Sequence, residues 1–452
     1  MKVAAISFVF FMLLMTAAGA MAWIRKKKTP SDYLLASRGV HPLLTALSTV
    51  GTNNSGFMFI GMIAYTYRIG IESIWMMVGW IFGDLLAWIF VHPRVRQQSD
   101  NLDVNTIPAL IGTRKNHTDR WLIAAAGLLT FVFLGIYAAG QLKAGSTALH
   151  ALFEWEMYVG VLIGAAIVVI YSYAGGIRAD IWTDVAQSAV MLIAMVSLLV
   201  AGYMEIGGIQ ALRDKLVEID PSLIRLFPDN LSFGIAPFVI GFFFAGFSVI
   251  GQPHLMTRLM AINSVAEIRS ARVYYFSWFV PFFIASVGVG LYSRVIIPDI
   301  GALEIARGLQ EPTELALPLL TMELLPQIFV GFALAGLFAA TVSTADSQII
   351  VCSGAITQDM QPKWRESYLA SKLATFSITT FALLIALLLI RIFSLPLPAS
   401  VGIAMMMTAT LTVVGWRSMG YSDDVFQAMP GWIVAMLLYA AYWLGWGRKS
   451  SA

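Results

Sequence analysis

Charge is scarce in this chain: only 12% of its 452 residues are Asp, Glu, Lys or Arg, while 58% are apolar. That is about half the charged share of an ordinary soluble domain, and it leaves too few polar residues to coat a surface facing water. Cysteine is scarcer still. Cys352 stands alone, so the chain can form neither an intrachain disulfide nor a thiolate metal cluster. The five histidines include no HExxH or similarly spaced pair, which argues against a zinc hydrolase. A net charge of +3, with the basic residues in short clusters between apolar runs, leaves no nucleic-acid footprint.

What is present is a series of long apolar runs. They fall at about 3–24, 42–67, 72–93, 122–151, 156–174, 185–206, 234–254, 271–296, 328–356, 367–391, 395–417 and 430–447, each near the ~20 residues that span a bilayer. Unpaired backbone groups cannot face lipid, so runs of this kind must be helices, and the alternation of a barrel strand is missing. The expectation is an all-α membrane protein of about twelve transmembrane helices. The first run, followed by Arg25-Lys26-Lys27-Lys28, reads as an anchor. The rival reading is a cleavable leader, with small residues from Ala18 to Ala22 at a cleavage-like position. With the N-terminus outside, the inward loops collect 18 Lys and Arg and the outward segments 10, with Lys143 left inside a helix; the bias favours that orientation. The connection GGIQALRDKLVEIDPSL is amphipathic and reads either as a lid or surface helix or as a plain loop.

A polar residue deep in a membrane helix is costly and marks a site by default. Three clusters stand out. The second run reads LSTVGTNNSGFMFIG from Leu47 to Gly61, and the stretch Gly51, Thr52, Asn53, Asn54, Ser55 and Gly56 makes a weak helix. A turn unwound there would free carbonyl oxygens for a cation or the polar head of a solute; close helix packing is the alternative. In the ninth run Ala340, Ser343 and Thr344 stand at i, i+3 and i+4 and share a face. A carbonyl and two hydroxyls on one face suit a hard cation, although Ser and Thr also bond back to their own helix. Asp346 follows, as an ion or proton site or as a structural acid. Third, in YSYAGGIRADIWTDVAQ the pair Gly175-Gly176 breaks a helix and Asp184 stands near the start of the next. Asp184 reads either as a cap favoured by the helix dipole or as negative charge near a cation exit.

These residues carry a likeness. DYLLASRGV, TALST with NSGF, GIYAAG, YSYAGGIRADIWTD, GQPHLMTRLMA and VSTADSQIIVCSGAITQD follow one another in order over nearly the whole chain, and the chain resembles the sodium:solute symporters, most of all the sodium/proline symporters. The resemblance implies the inverted-repeat fold of the bacterial leucine transporter, with repeats at 42–206 and 234–417 and extra helices at 3–24 and 430–447. It implies sodium held by the carbonyls of Gly51, Asn54 and Ala340 and the hydroxyls of Ser343 and Thr344, with Asp184 as the nearby acid. Its solute contacts map to Ser55, Gly56, Phe57, Tyr137 and Ala245, beside Asn53. Proline symporters carry an aromatic residue in place of Ala245, an acid in place of Asn53 and an aliphatic in place of Lys143. Lys143 would pair with an anionic solute or snorkel to the headgroups.

The function implied is sodium-coupled import of a small organic solute across the cell inner membrane, by default proline or a related amino acid, without enzymatic chemistry. Partners are then sodium, the solute and the bilayer. Left open are a proton in place of sodium with Asp346 as carrier, a carboxylate, vitamin or sugar as solute, and a membrane sensor that binds solute without moving it.

Overall fold

The computed structural model describes residues 2–22, 24, 30–153, 155, 157–229, 231–303, 311–355, 359, 399–419, 421 and 428–445. They are almost wholly helical. The exception is a two-stranded hairpin pairing Thr113–Arg114 with His117–Thr118. Among the described residues six helices have the length and apolarity to cross a membrane, or seven if the pair α11 (Ile235–Phe247) and α12 (Pro253–Ala261), bent by 57°, counts as one span. The expected run 367–391 lies outside the described residues. The run 395–417 appears as a helix over Ala399–Ser418, and the run 430–447 as one over Ala428–Gly445.

The run 42–67 is one span broken in the middle. Its first half, α3 (Pro42–Asn53), starts with proline at its first position and with His41 Nδ1 accepting the Leu43 N–H at 3.2 Å, a combination that opens helices. It stops at Asn54, whose φ of −87° and ψ of 65° leave the helical basin. Backbone helicity resumes in a π turn, Phe57–Gly61, followed by α4 (Met62–Ile69). α4 ends at Gly70, which has φ of +74° and lies against the Leu223 backbone, so a side chain fails there on both counts.

α5 (Ile74–Leu86) runs through a second π turn, Ala87–Val91, into α6 (His92–Asn101). α8 (Arg120–Phe153) covers the apolar run 122–151, and α9 (Met157–Ile206) joins the runs 156–174 and 185–206 across a kink at Gly176. Gly176 has φ of +56°, and a Cβ on it would lie 2.5 Å from the Tyr33 carbonyl oxygen. The amphipathic connection is a helix, α10 (Ile209–Ile219), with Leu212 and Leu216 buried; the lid-or-loop choice left by the sequence resolves to a helix. α13 (Ile268–Ile296), a short α14 (Ala316–Leu324) and α15 (Gln327–Gly354) follow, ahead of the helices at Ala399–Ser418 and Ala428–Gly445. The N-terminal helix α1 (Lys2–Ala22) packs on α9 and α15: Ser7 Oγ donates to the Ile328 carbonyl at 2.7 Å, and Phe8 meets Phe338 edge to face.

One end of the bundle is knitted by arginines. Arg38 donates to the carbonyls of Ser99 and Val104 at 3.0 and 2.9 Å, Arg96 to that of Ile262 at 2.8 Å, and Arg178 to Asp32 at 2.5 Å and the Ala36 carbonyl at 2.9 Å. Ala36, Ser37 and Arg38 all have positive φ, a costly conformation for residues with side chains. Arg38 and the bond from Ser37 Oγ to Asp32 hold it in place.

α5 and α11 touch through glycines. A Cβ on Gly83 would fall on the Phe243 carbonyl oxygen, one on Gly246 on the Trp80 carbonyl oxygen, and one on Gly79 on Phe242. Small residues permit this backbone approach. Gly83→Ala should therefore force the two helices apart and lower the thermal midpoint in detergent, at about 1–3 kcal/mol for an overpacked contact; an unchanged midpoint would show that the seam can yield.

Candidate functional site

The break in the second span points at α9, α12 and α15. Asp180 and Asp184 stand at i, i+4 on α9, four and eight residues beyond the kink, and both are fully buried. Asp184 is thus two turns inside the straight part of its helix, and the capping reading does not hold. Two carboxylates on one buried helical face need compensation, and it comes from Arg258 of α12. Arg258 is one of the cations that a charge count places in an inward loop, just past the run 234–254; it is in fact 1% exposed, because the bend at Gln252 turns α12 back into the bundle. Its guanidinium donates to Asp180 Oδ2 at 2.6 Å, Asp184 Oδ2 at 2.7 Å, Ser48 Oγ at 2.7 Å, Ser347 Oγ at 2.5 Å and the His254 carbonyl at 2.7 Å. A planar fork with several donors suits such a many-sided contact, as a lysine would not.

Asp346 joins this cluster: its Oδ1 accepts the Ser347 N–H at 2.6 Å, and Asp180, Asp184 and Asp346 each bring a carboxylate oxygen within 4.8 Å of the others. One guanidinium thus faces three acids.

The predicted cation residues border the same cluster. Ser343 Oγ donates to Asp184 Oδ1 at 2.5 Å, and the other carboxylate oxygen takes Ser48 Oγ at 2.6 Å and Thr52 Oγ1 at 3.2 Å. Thr344 Oγ1 lies 3.0 Å from both the Thr52 and the Ala340 carbonyls. Gly51 packs on α9, where a Cβ would lie 3.4 Å from the Asp184 carbonyl and 3.5 Å from Ser188 Cβ. Asn54 turns its amide back to the Val50 carbonyl at 2.7 Å, and its buried Oδ1 has no hydrogen-bond partner among the described residues. Gly51, Ala340, Ser343, Thr344 and Asp184 therefore gather where α3, α9 and α15 meet, with Thr52 as the link to Thr344 that the sequence reading did not single out.

The predicted solute residues lie on the other side of the break. Tyr137 Oη donates to Ser55 Oγ at 3.2 Å, Ser55 Oγ accepts the Phe57 N–H at 3.2 Å, and Gln141 Oε1 accepts the Gly56 N–H at 3.0 Å. Gln141 thereby ties α8 to the broken turn, another residue the motifs did not flag. Phe57 is 40% exposed, with its ring 6.1 Å from that of Trp80. Ala245 is buried in α11, next to the Gly246 that abuts Trp80. Asn53 faces away, donating to Tyr275 Oη at 2.6 Å. The Lys143 side chain lies outside the described residues, though its backbone belongs to α8.

Arg258 and Asp180 were missed as well, though they left a signal: two acids spaced i, i+4 on a buried helix demand a cation, and GQPHLMTRLMA supplies one.

A sequence profile of the sodium:solute symporter family matches residues 33–419. The chain belongs to the sodium:solute symporter family. It is 25% identical over 439 residues to the high-affinity proline transporter PutP of Bacillus subtilis, covering 90% of this chain and 91% of that one. It is 30% identical over 354 residues to a sodium/proline symporter of Staphylococcus aureus, covering 78% of this chain and 66% of that one. Among solved structures, a Na+-coupled sialic acid symporter in a substrate-bound outward-open state superposes with a TM-score of 0.76 at 17% identity, over 97% of both chains. The fold is therefore the inverted-repeat transporter bundle that the sequence implied. This symporter is a multi-pass membrane transporter and not an enzyme.

Proposed function

We propose that this symporter imports a small organic solute together with sodium by alternating access, with proline or a related amino acid as the solute. The observation that carries the reading is the broken second span. α3 ends at Asn53, and the carbonyl of Thr52 meets the Thr344 hydroxyl of α15 at 3.0 Å beside Asp184. Ser343 donates its hydroxyl hydrogen to a bond with Asp184, which leaves the lone pairs of its own oxygen for a cation. Thr344 lies between two carbonyls, and Asn54 Oδ1 is a buried oxygen without a hydrogen-bond partner among the described residues. Hard cations are held by oxygens of this kind. The family membership and the two named relatives support sodium as the driving ion and an amino acid as the cargo.

In this reading sodium binds where α3, α9 and α15 meet and fixes the broken turn. The same turn offers Ser55 and the Gly56 N–H to the solute beside Tyr137 and Phe57. Because both ligands use one turn, each raises the affinity of the other by the same factor. The inward membrane potential adds about 2.3 kcal/mol per charge per 100 mV. We take residues 42–206 and 234–417 as the two inverted repeats of the bundle.

Proteoliposomes given an inward sodium gradient should accumulate labelled L-proline, and those with choline outside should not. Accumulation indifferent to sodium would remove the coupling. A solute screen in which another compound, and not proline, stabilises the protein in a sodium-dependent way would replace the cargo.

A further inference from the structure

Asn53, at the end of α3, is joined through α13 to a buried acid that the sodium site does not use. Asp84, on α5, is fully buried. Tyr275 Oη of α13 donates to its Oδ2 at 2.6 Å and accepts from Asn53 Nδ2 at 2.6 Å. A three-member hydrogen-bonded chain therefore runs from Asp84 to the broken turn. The second oxygen, Oδ1, is buried without a partner among the described residues, and none of the ion pairs there includes Asp84. The elements packed on α5 bring little else that titrates. α11 and the turn Ser248–Gly251 have no ionisable residue, Glu72 lies before the start of α5, and α13 adds, besides Tyr275, Arg269, Arg272 and Tyr274 near its start and Tyr292 and Arg294 near its end.

A carboxylate deep in a membrane bundle with no cation beside it requires a counter-charge. A sodium ion would gather several oxygens, but what closes around this chain is aromatic. The Tyr275 ring lies 4.8 Å from that of Trp88 and 5.4 Å from that of Phe279. A proton needs no such cage. One helical turn past Trp88 on the same face comes His92, fully buried, with neither ring nitrogen partnered among the described residues. The face is interrupted by the π turn Ala87–Val91, a distortion that recurs at functional sites.

We propose that Asp84 is a proton site that reports to the sodium site through Tyr275 and Asn53, so that protonation and sodium binding oppose each other. The hydrogen-bond chain has two directions. With Asp84 ionised, Tyr275 donates to it and Asn53 donates to Tyr275, so that the Asn53 side-chain amide keeps its Oδ1 as an acceptor. A proton from solution forms an O–H bond on Asp84, which then donates to Tyr275. Tyr275 turns its own hydroxyl hydrogen to Asn53, and the amide must flip to accept it, presenting its NH2 group instead of its oxygen. A cation at the neighbouring turn is favoured by the first arrangement and disfavoured by the second, so sodium binding expels the proton. This inference rests on the sodium reading above.

The test titrates sodium against the purified full-length protein by tryptophan fluorescence at about pH 6 and about pH 8.5, with choline holding ionic strength constant. The half-saturating sodium concentration of the wild type should rise about tenfold on going to the lower pH, within the usual range of coupling between two sites. Asp84→Asn, whose amide donates as the protonated acid does, should bind sodium weakly at both pH values. Tyr275→Phe keeps the acid but cuts the chain, so its sodium titration should lose the pH dependence; it carries the test alone if the first variant does not fold. A wild type whose sodium titration ignores pH overturns the proposal and leaves the sodium reading intact. Full pH dependence in Tyr275→Phe also overturns it. No response to sodium at any pH overturns both.

Discussion

Arg258→Met should cost this protein about 3–5 kcal/mol, the usual penalty for removing one partner of a buried charge pair. The guanidinium lies between Asp180 and Asp184 and also satisfies Ser48, Ser347 and the His254 carbonyl. Methionine fills much of the volume but leaves two carboxylates facing each other with no cation in contact. Thermal unfolding in detergent measures the loss. Arg258→Lys should recover only part, since a point charge cannot span acceptors on three helices. Adding Asp180→Asn to Arg258→Met should also restore part, because it removes one of the stranded charges. If Arg258→Met unfolds at the wild-type midpoint, the guanidinium is not what holds α9 to α12.

Ser343→Ala combined with Thr344→Ala should raise the sodium concentration needed for half-maximal thermal stabilisation by roughly a hundredfold, taking about 1.5 kcal/mol for each hydroxyl lost to a charged group and about 1.4 kcal/mol per tenfold. Thr344→Ser keeps the oxygen between the Thr52 and Ala340 carbonyls and should stay close to wild type. An unmoved sodium requirement in the double variant would place the ion elsewhere.

The sequence made the bundle legible because lipid leaves the backbone no alternative to helix, so each long apolar run announces a span. The break at Asn54 was legible for a related reason: no other run sets two adjacent asparagines among small residues. Ser343 and Thr344 could be read from their spacing with Ala340, since i, i+3 and i+4 share a face whatever the tertiary context. Arg258 could not be read that way. Its burial depends on the bend between α11 and α12, which sequence periodicity does not encode, and a charge count treats every arginine near the end of a run as a loop residue. The same limit hid Tyr275 and Asp84, which are 191 positions apart and meet only once α5 and α13 are packed. Asp184 was visible, but its surroundings were not: whether it capped a helix or lined a site turned on the kink falling at Gly176, eight residues earlier.

The glycine seam has a bearing on how such a molecule can rock. Where Gly83 and Gly246 bring two main chains into contact, the surfaces interlock with no side chains between them to rearrange. Sliding α5 along α11 would push carbonyl oxygens into α-carbons within a fraction of a helical turn. The two helices, which come from opposite halves of the chain, must therefore travel as one plank, and whatever hinge admits the solute has to open along some other seam.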